Sequence, residues 1–279
     1  HTFSTVYPVV KFVLRHDPGQ TYAYKDLLAR SITDLEVEVE VGATSGVFSG
    51  EGITDLELHN DLGRLNPSKL ILPWGAEPTV GNSFVLGCAE LASKPGARVQ
   101  LNLEWKDLPA TSGQLDYDYN SSADYHSIPT TNDPNSPEVE ISTLEGGSWV
   151  LQQDDVTLIE TSGSTIDPRR VFLLSTPPGE GFFIGRDDAF TPFSGAAKKG
   201  FVRIRLKHDF GHRNYRHALT NYLLKKGNNP ALTTSEPATP YQPVLQSCSL
   251  GYTAACAAAI STVSGSASGA APARLLHLA

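Results

Sequence analysis

Apolar and polar residues alternate with a period of two along much of the chain. The clearest run is 34–41, where apolar residues on one face of a strand oppose the acidic side chains Glu36, Glu38 and Glu40. Three further runs repeat the pattern at 53–58, 99–105 and 201–206. Shorter candidates are 83–86, 148–151, 156–159 and 171–174. The dominant predicted element is therefore a half-buried β-strand.

Turn-forming residues (Gly, Pro, Asn and Asp) cluster between these runs. One-sided alternation in many strands predicts a mainly β fold of antiparallel, sandwich-like domains rather than a parallel doubly wound sheet. Helical periodicity is scarce and predicts only short helices at 22–30, 90–93 and 214–226. The last is the best supported, since Lys225 and Lys226 suit its C-terminal end and Gly227 can close it.

Changes in composition divide the chain into four predicted parts. They are a β-rich domain (1–109), a polar loop or linker (110–137), a second β-rich domain ending in a helix (138–226), and an extended Pro-rich and Ala/Ser/Gly segment (227–279). The chain starts at His1, contains no Met and stops in an apolar run. We therefore expect it to be part of a larger multidomain polypeptide, with the last segment leading to further domains.

The amino-acid composition disfavours some classes of binding partner. A hydrophobic fraction of 40% and a charged fraction of 19% are typical of a folded soluble protein. The net charge of −8 disfavours binding of nucleic acid, which needs a basic surface. No apolar run reaches the roughly 18–20 residues that a bilayer requires, and no signal peptide is evident, so no membrane insertion is expected. The three cysteines, Cys88, Cys248 and Cys256, lack metal-ligand spacing and indicate buried free thiols.

The densest polar cluster is the stretch 207–217, which contains His208, Asp209, His212 and His217. Three histidines and an aspartate could bind a metal or supply a base. However, the stretch runs from a strand through a glycine turn into a helix, which would scatter the histidines. We interpret it as a structural connection in which Asp209 caps the following turn.

Other acidic motifs are incomplete. Asp116, Asp118 and Asn120 begin like a calcium loop, but Ser121 and Ser127 stand where glycine and a bidentate glutamate are needed. The pairs 154–155 and 187–188 are adjacent aspartates, and neighbours on a strand point to opposite faces. The glycines of 179–185 are misspaced for a phosphate loop. We therefore predict no catalytic, cofactor-binding or metal-binding residue, and no enzyme.

Three tryptophans, Trp74, Trp105 and Trp149, with many tyrosines in loops, allow two interpretations. They could form a sugar platform or anchors for a protein partner, or they could pack the edges of a sandwich.

Two parts of the chain resemble a known family. The first, 58–109, contains NDLGRLNPSK, LPWG, PTVGNSF and LEWKDLP; the second, 201–254, contains HDFGHRNY, TPYQP and SLGYTA. In this order the motifs resemble baseplate wedge proteins of phage-tail-like extracellular contractile injection systems of the antifeeding-prophage and virulence-cassette type. Here Leu62 replaces a usual Phe, Trp74 stands where Phe is common, and Gly251 replaces an Asp.

The resemblance implies a structural wedge that links the hub and tube to the sheath in a sixfold baseplate and rearranges on contraction. Its partners would be other wedge subunits, hub or spike proteins and sheath proteins. Such a protein is made in the bacterial cytoplasm and resides in an assembled particle that can be released. The family has no catalytic residues to carry over. The alternatives are a carbohydrate-binding or glycan-cleaving β-sandwich, which needs an aromatic row or two spaced carboxylates, and a secreted adhesin module.

Three features have expected structural roles in such an assembly. Asp61–Gly63 and Asn66–Pro67 would form consecutive turns that fix a loop. The acidic face of 34–41 would pair with basic neighbours. The extended segment 237–243 could lie across a partner at a reduced entropy cost.

Overall fold

Antiparallel pairing joins the alternating segments into two main sheets. A computed structural model of the chain describes residues 36–42, 44–92, 97–111, 115, 137–163, 165–174, 191–231, 233 and 235–257. The strands in these ranges are β1 (Glu36–Val41), β2 (Glu57–Asn60), β3 (Gly63–Leu65), β4 (Ser83–Gly87), β5 (Arg98–Lys106), β6 (Glu138–Glu145), β7 (Ser148–Thr157), β8 (Thr161–Ser162), β9 (Thr165–Ile166), β10 (Arg169–Leu174), β11 (Phe201–Leu206) and β12 (Val244–Ala257). The helices are α1 (Ala89–Ala92) and α2 (His212–Asn228).

The larger sheet has six strands in the order β3-β2-β4-β11-β6-β7, and the second has four in the order β1-β12-β5-β10. The strands β8 and β9 form a separate two-stranded ribbon. The central pairs β4–β11 and β5–β12 are antiparallel, as are β6–β11 and β5–β10. The prediction of a mainly β, antiparallel fold is confirmed.

Individual elements agree with the sequence pattern to different degrees. The run 201–206 is β11, the run 99–105 lies within β5, and the helix predicted at 214–226 lies within α2. The run 53–58 is not one strand, because Ile53 makes an isolated bridge to Leu250 and β2 begins only at Glu57. The pattern did not indicate β6, or that β12 extends into the alanine-rich stretch. The helix predicted at 22–30 lies outside the described residues.

Both main sheets combine strands from before and after the predicted linker 110–137. In the larger sheet β11 pairs with β4, and in the smaller one β12 pairs with β5. Residues Glu40–Ala254 accordingly form one compact unit. The two β-rich segments predicted at 1–109 and 138–226 therefore share their sheets, because strands from one segment pair with strands from the other.

The core lies between the inner faces of the two sheets. Leu58, Phe84 and Ile204 come from the six-stranded sheet, whereas Leu101 and Phe172 come from the four-stranded sheet, and all are buried in one cluster. Full burial of such a side chain contributes roughly 1.5–3 kcal/mol. The two sheets are therefore held together mainly by apolar side chains at alternate strand positions.

Trp74 and Trp105 belong to this core rather than to a surface platform. They are 4% and 2% exposed, and their stacked rings lie 6.0 Å apart. The Trp74 indole N–H also donates a hydrogen bond to the Ile204 carbonyl oxygen at 3.3 Å. Trp149 is half-buried, with the Arg203 guanidinium 4.6 Å from its ring. Of the two interpretations, packing within the sandwich is the one that the structure shows for Trp74 and Trp105.

A buried polar network covers the other face of β5, where alternation had predicted solvent. Gln100 and Asn102 are 0% and 1% exposed because residues 44–51 cross this face. The Gln100 amide accepts a bond from the Gly46 N–H and donates bonds to the Val47 carbonyl and the Asn102 side chain. Asn102 in turn donates a bond to Ser249 on β12. Each buried side-chain amide is thus hydrogen-bonded, as buried polar groups in folded proteins generally are.

The position of Trp74 predicts a large effect on stability. Trp74→Leu should lower the free energy of unfolding by about 2–4 kcal/mol, since it leaves a cavity and removes the stacking and the bond to Ile204. Trp149→Leu is the matched control and should cost about 1 kcal/mol or less, because that side chain is only half-buried. Urea unfolding measures both. Equal losses in the two variants would contradict a central role for Trp74.

Candidate interaction surface

The motif segments that carry the family resemblance meet in space. The backbone N–H of Gly81 donates to the Leu206 carbonyl at 2.8 Å, and the Leu206 N–H donates to Asn82 at 2.9 Å. His212 bonds through Nε2 to the Tyr241 carbonyl oxygen at 3.1 Å. We call the region formed by residues 61–83, residues 207–211, α2 and residues 237–243 the motif junction.

Short polar side chains hold the loop 61–83. Oδ2 of Asp61 accepts hydrogen bonds from the Asn82 side chain at 2.8 Å and from the Ser83 N–H at 2.9 Å. The turns predicted at 61–63 and 66–67 are present, closed by the side chains of Asn60 and Asn66. This arrangement presents Leu62 at the tip of the β2–β3 hairpin, where it is 86% exposed.

Residues 208–213 form a turn in which each backbone N–H from 210 to 213 has a partner. The N–H of Phe210 donates to His208 Nδ1 at 3.0 Å. Asp209 accepts the next three bonds, from Gly211 at Oδ1, from His212 at the carbonyl oxygen and from Arg213 at Oδ2. The Asp209 side chain thus closes the turn that leads into α2, as the sequence predicted, while Gly211 occupies the N-cap position of the helix.

Phe210 anchors this turn although its backbone is in the left-handed region. Its φ is 55° and that of Gly211 is 78°, a conformation that glycine tolerates and phenylalanine does not favour. The Phe210 ring is fully buried and packs edge-on against His208 and Tyr241, with centroids 5.9 Å away in both cases. Burial of the ring offsets the local strain and fixes the direction in which α2 leaves the sheet.

The histidines of the stretch 207–217 do not converge. His208 lies in the turn, His212 contacts Tyr241, and His217 is exposed on α2. Within the described ranges, no three His, Cys, Asp or Glu side chains are arranged to hold a metal ion. The observed role of the stretch is the connection of β11 to α2.

The adjacent aspartates of β7 depart from the predicted geometry. Asp155 has a φ of 50°, which breaks the strand alternation. As a result, both Asp154 and Asp155 contact the ammonium group of Lys207 instead of pointing to opposite faces. The hydrogen bond from Lys207 lowers the pKa of Asp154. Both carboxylates are exposed, so the cluster is a surface link between β7 and the end of β11.

The remaining candidate residues are the cysteines and the incomplete acidic and glycine motifs. Cys88 and Cys248 are free thiols, and burial raises the pKa of Cys248 to about 12. The side chain of Cys256, the calcium-like stretch 116–120, the glycines 179–185 and the aspartates 187–188 lie outside the described residues.

The segment 237–243 is attached to its own chain. Pro237, Tyr241 and Pro243 are buried, and the Tyr241 hydroxyl donates to the Lys106 carbonyl at 3.1 Å. Burial raises the pKa of Tyr241 to about 12. Ala238 and Thr239 are exposed, so these residues of the segment face solvent and are accessible to a partner.

A groove of about 760 Å³ runs between the loop 61–83 and α2. Its lining residues are Thr79, Val80, Lys207, Asp209, Arg213, Arg216, His217 and Thr220. Arg216 also forms an exposed ion pair with Glu77 at 3.5 Å. The groove therefore has a mixed lining, in which the basic side chains Lys207, Arg213 and Arg216 lie close to the carboxylates of Asp209 and Glu77.

Exposed apolar side chains lie on the same elements as the groove. Leu62, Leu70 and Val80 on the loop are 86%, 57% and 65% exposed. Leu223 and Leu224 on α2 are 58% and 62% exposed. Only His212 and Ala218 of α2 are buried.

Among the strands that the structure describes, the acidic strand β1 lies at the edge of the four-stranded sheet. Glu38 and Glu40 are exposed, as predicted, but Val39 is also 38% exposed. Val41 is half-buried against the core. The predicted apolar face is thus only partly covered along β1.

Neither a protein-family model nor a curated protein matches the chain, so its function has to be inferred from its sequence and structure. Across the described residues, no helix has both the length and the apolar character needed to span a bilayer.

His212 predicts an acid-sensitive junction. Burial lowers the pKa of His212 below its ordinary value of 6.5. The unfolded chain therefore binds this proton more readily, so the contribution of His212 to stability is complete above pH of about 6.5 and is lost as the pH falls. The difference in unfolding free energy between wild type and His212→Gln should shrink from about pH 8 to about pH 5.

Urea titrations across this pH range measure the difference. His217→Gln serves as the control, since it removes an exposed histidine from the same helix. A difference for His212→Gln that stays constant with pH would show that its burial is not linked to protonation.

Proposed function

We propose that this chain is a structural component of the baseplate of a phage-tail-like contractile injection system, acting as a wedge. The observation that supports this proposal best is the motif junction. The segments that resemble wedge proteins are far apart in sequence, yet they hydrogen-bond to one another and build one surface. A protein that works by binding other proteins needs such a surface.

The chemistry of the motifs supports a structural rather than a catalytic role. Asp61 and Asp209 are the acids of the two most specific motifs, and both carboxylates accept hydrogen bonds from backbone N–H groups. Side chains used in this way hold loops in place. Their carboxylate oxygens are engaged in turn geometry, which makes them poor candidates for general acid–base catalysis.

The exposed apolar side chains are the anchors for protein partners under this proposal. Leu62, Val80 and Leu224 project from the junction with more than half of their surface exposed. Buried apolar anchors surrounded by polar contacts dominate the energetics of protein interfaces. The partners under this proposal are other wedge subunits, hub or spike proteins, and sheath proteins.

The glycan-binding alternative draws less support from the structure. Its proposed aromatic platform required exposed tryptophans, and both Trp74 and Trp105 are in the core. Trp149 is half-buried beneath the guanidinium of Arg203. A sugar platform would therefore have to be built from other aromatic residues.

The proposal is tested in the native host. High-molecular-weight particles are sedimented from lysate, imaged by negative-stain electron microscopy and analysed by mass spectrometry. We expect peptides of this chain to co-purify with sheathed tubes, and deletion of its gene to leave no intact particles. If the chain stays in the soluble fraction and particles assemble without it, the baseplate assignment fails and a glycan-binding array becomes the next experiment.

Substitution of Leu62 tests the same proposal at a single residue. Leu62→Asp introduces a charge at an exposed hairpin tip, so folding should be unaffected while incorporation into particles falls by about tenfold or more. Val47→Asp is the control, because Val47 is 67% exposed but lies outside the motif junction. Quantitative mass spectrometry of sedimented particles provides the readout. Equal incorporation of the two variants would exclude Leu62 as an anchor.

A further inference from the structure

Residues 44–51 form a surface loop over the face of the four-stranded sheet that is turned away from the core. Five of the eight residues are exposed and none is buried. The two ends of the loop meet, because a Cβ placed on Gly42 would lie 3.0 Å from the Glu51 carbonyl oxygen and from the Gly52 Cα. Both glycines have positive φ values, 67° and 125°. A short surface segment whose ends are in contact is an Ω-loop.

Side-chain amides of β5 bond to the main chain of this loop. Oε1 of Gln100 accepts a hydrogen bond from the Gly46 N–H at 2.9 Å, and Nε2 of Gln100 donates one to the Val47 carbonyl oxygen at 2.8 Å. Oδ1 of Asn102 accepts a bond from the Ser49 N–H at 3.4 Å. A side-chain amide has the donor and the acceptor of a peptide group, so it can bind a main chain whatever side chains that chain carries.

Ser249 on β12 belongs to the same set of side chains. Its hydroxyl donates to the Glu51 carbonyl oxygen at 3.4 Å and accepts a bond from the Asn102 amide at 3.2 Å. We call Gln100, Asn102 and Ser249 the polar platform, and they are 0%, 1% and 5% exposed. The platform offers two acceptors for N–H groups and two donors for carbonyl groups to the segment that crosses it.

The loop itself contributes little apolar surface to this contact. Val47 is 67% exposed, and the half-buried Phe48 ring lies 5.2 Å from the guanidinium of Arg169. On either side of the loop, by contrast, Val41 and Ile53 pack against the core. When the loop opens, water replaces the hydrogen bonds that both the loop and the platform lose. The loop should therefore open far more readily than the sheets unfold.

We propose that the polar platform is a binding site for the main chain of an extended polypeptide segment, with residues 44–51 as its intramolecular occupant. The loop opens about Gly42 and Gly52 while both sheets stay folded. A segment of a second protein then makes the hydrogen bonds that the loop made, so affinity comes from its main chain. The site lies outside the motif junction, and the proposal does not depend on the baseplate assignment.

Hydrogen exchange on the wild-type chain tests the opening step. The N–H groups of Gly46 and Ser49 should exchange at least about 100-fold faster than those of β5, because opening breaks only the bonds of the loop. Thr44→Val removes a hydroxyl bond to Thr253 and should accelerate exchange at Gly46 and Ser49 without changing it in β5. Exchange in the loop as slow as in β5 would show that the loop opens only with the sheets, which would overturn the proposal.

A variant without the loop tests binding of a second polypeptide. Residues 44–51 are replaced by two glycines, which the contact between Gly42 and Gly52 permits. The probe is a synthetic peptide with the sequence of the loop, TSGVFSGE. In NMR titrations the variant should bind this peptide at least about fivefold more tightly than wild type does, because its own loop no longer competes.

Altered peptides test whether the main chain is what the platform binds. A peptide with alanine in place of Val47 and Phe48 should bind within about threefold of the parent, whereas N-methylation at Gly46 and Ser49 should weaken binding at least about tenfold. Gln100→Leu in the loop-free variant should weaken binding of the parent peptide to a similar degree.

Glu104→Gln is the matched control for Gln100→Leu. Glu104 lies further along β5 and bonds to Ser247 rather than to the loop, so its replacement should leave peptide binding unchanged.

Several results would overturn the proposal. A folded loop-free variant that does not bind the peptide is one, equal binding of the N-methylated peptide is another, and loss of binding on the alanine exchange is a third. If removal of the loop unfolds the chain, Thr44→Val takes its place, and an affinity for the peptide equal to that of wild type would count against the site. Binding of an oligosaccharide instead of the peptide, lost on Gln100→Leu, would assign the platform to a glycan.

Discussion

Trp74 lies between the two sheets and contacts both. Its ring stacks on Trp105 of β5, while its indole N–H donates to the carbonyl of Ile204 on β11. Three residues earlier in the chain, Ile71 pairs with Leu245 of β12. The loop 61–83 is therefore fixed against the four-stranded and six-stranded sheets at once. Everything that this loop presents to solvent, including Leu62 and Val80, depends on that attachment.

The motif junction extends the same constraint to α2. Phe210 is buried in the turn between β11 and α2, and its contact with Tyr241 joins the start of the helix to the segment 237–243. Asp209 then satisfies the first N–H groups of the helix. Because the helix is held at its first turns and at Ala218, its last turns leave Leu223, Leu224 and Lys225 exposed. The N-terminal part of α2 is thus fixed to the protein while its C-terminal end is exposed, an arrangement that suits binding of a partner.

Charge is distributed unevenly over this framework. A helix without acidic residues and a strand of alternating glutamates belong to a chain whose net charge is −8. Such separation makes electrostatic complementarity with a partner depend on which of these elements the partner meets.

The sequence alone determined the class of fold, the strands β5 and β11, the helix α2, and the capping role of Asp209. These features depend on local periodicity and short-range hydrogen bonds, which are determined by residues close together in the sequence. Only the tertiary structure decided which strands pair across the linker 110–137, that Gln100 and Asn102 are buried beneath residues 44–51, and that Trp74 belongs to the core. It also decided that Asp154 and Asp155 share Lys207 and that Leu223 faces solvent. These outcomes depend on which distant segment covers a given face, and no local pattern specifies that.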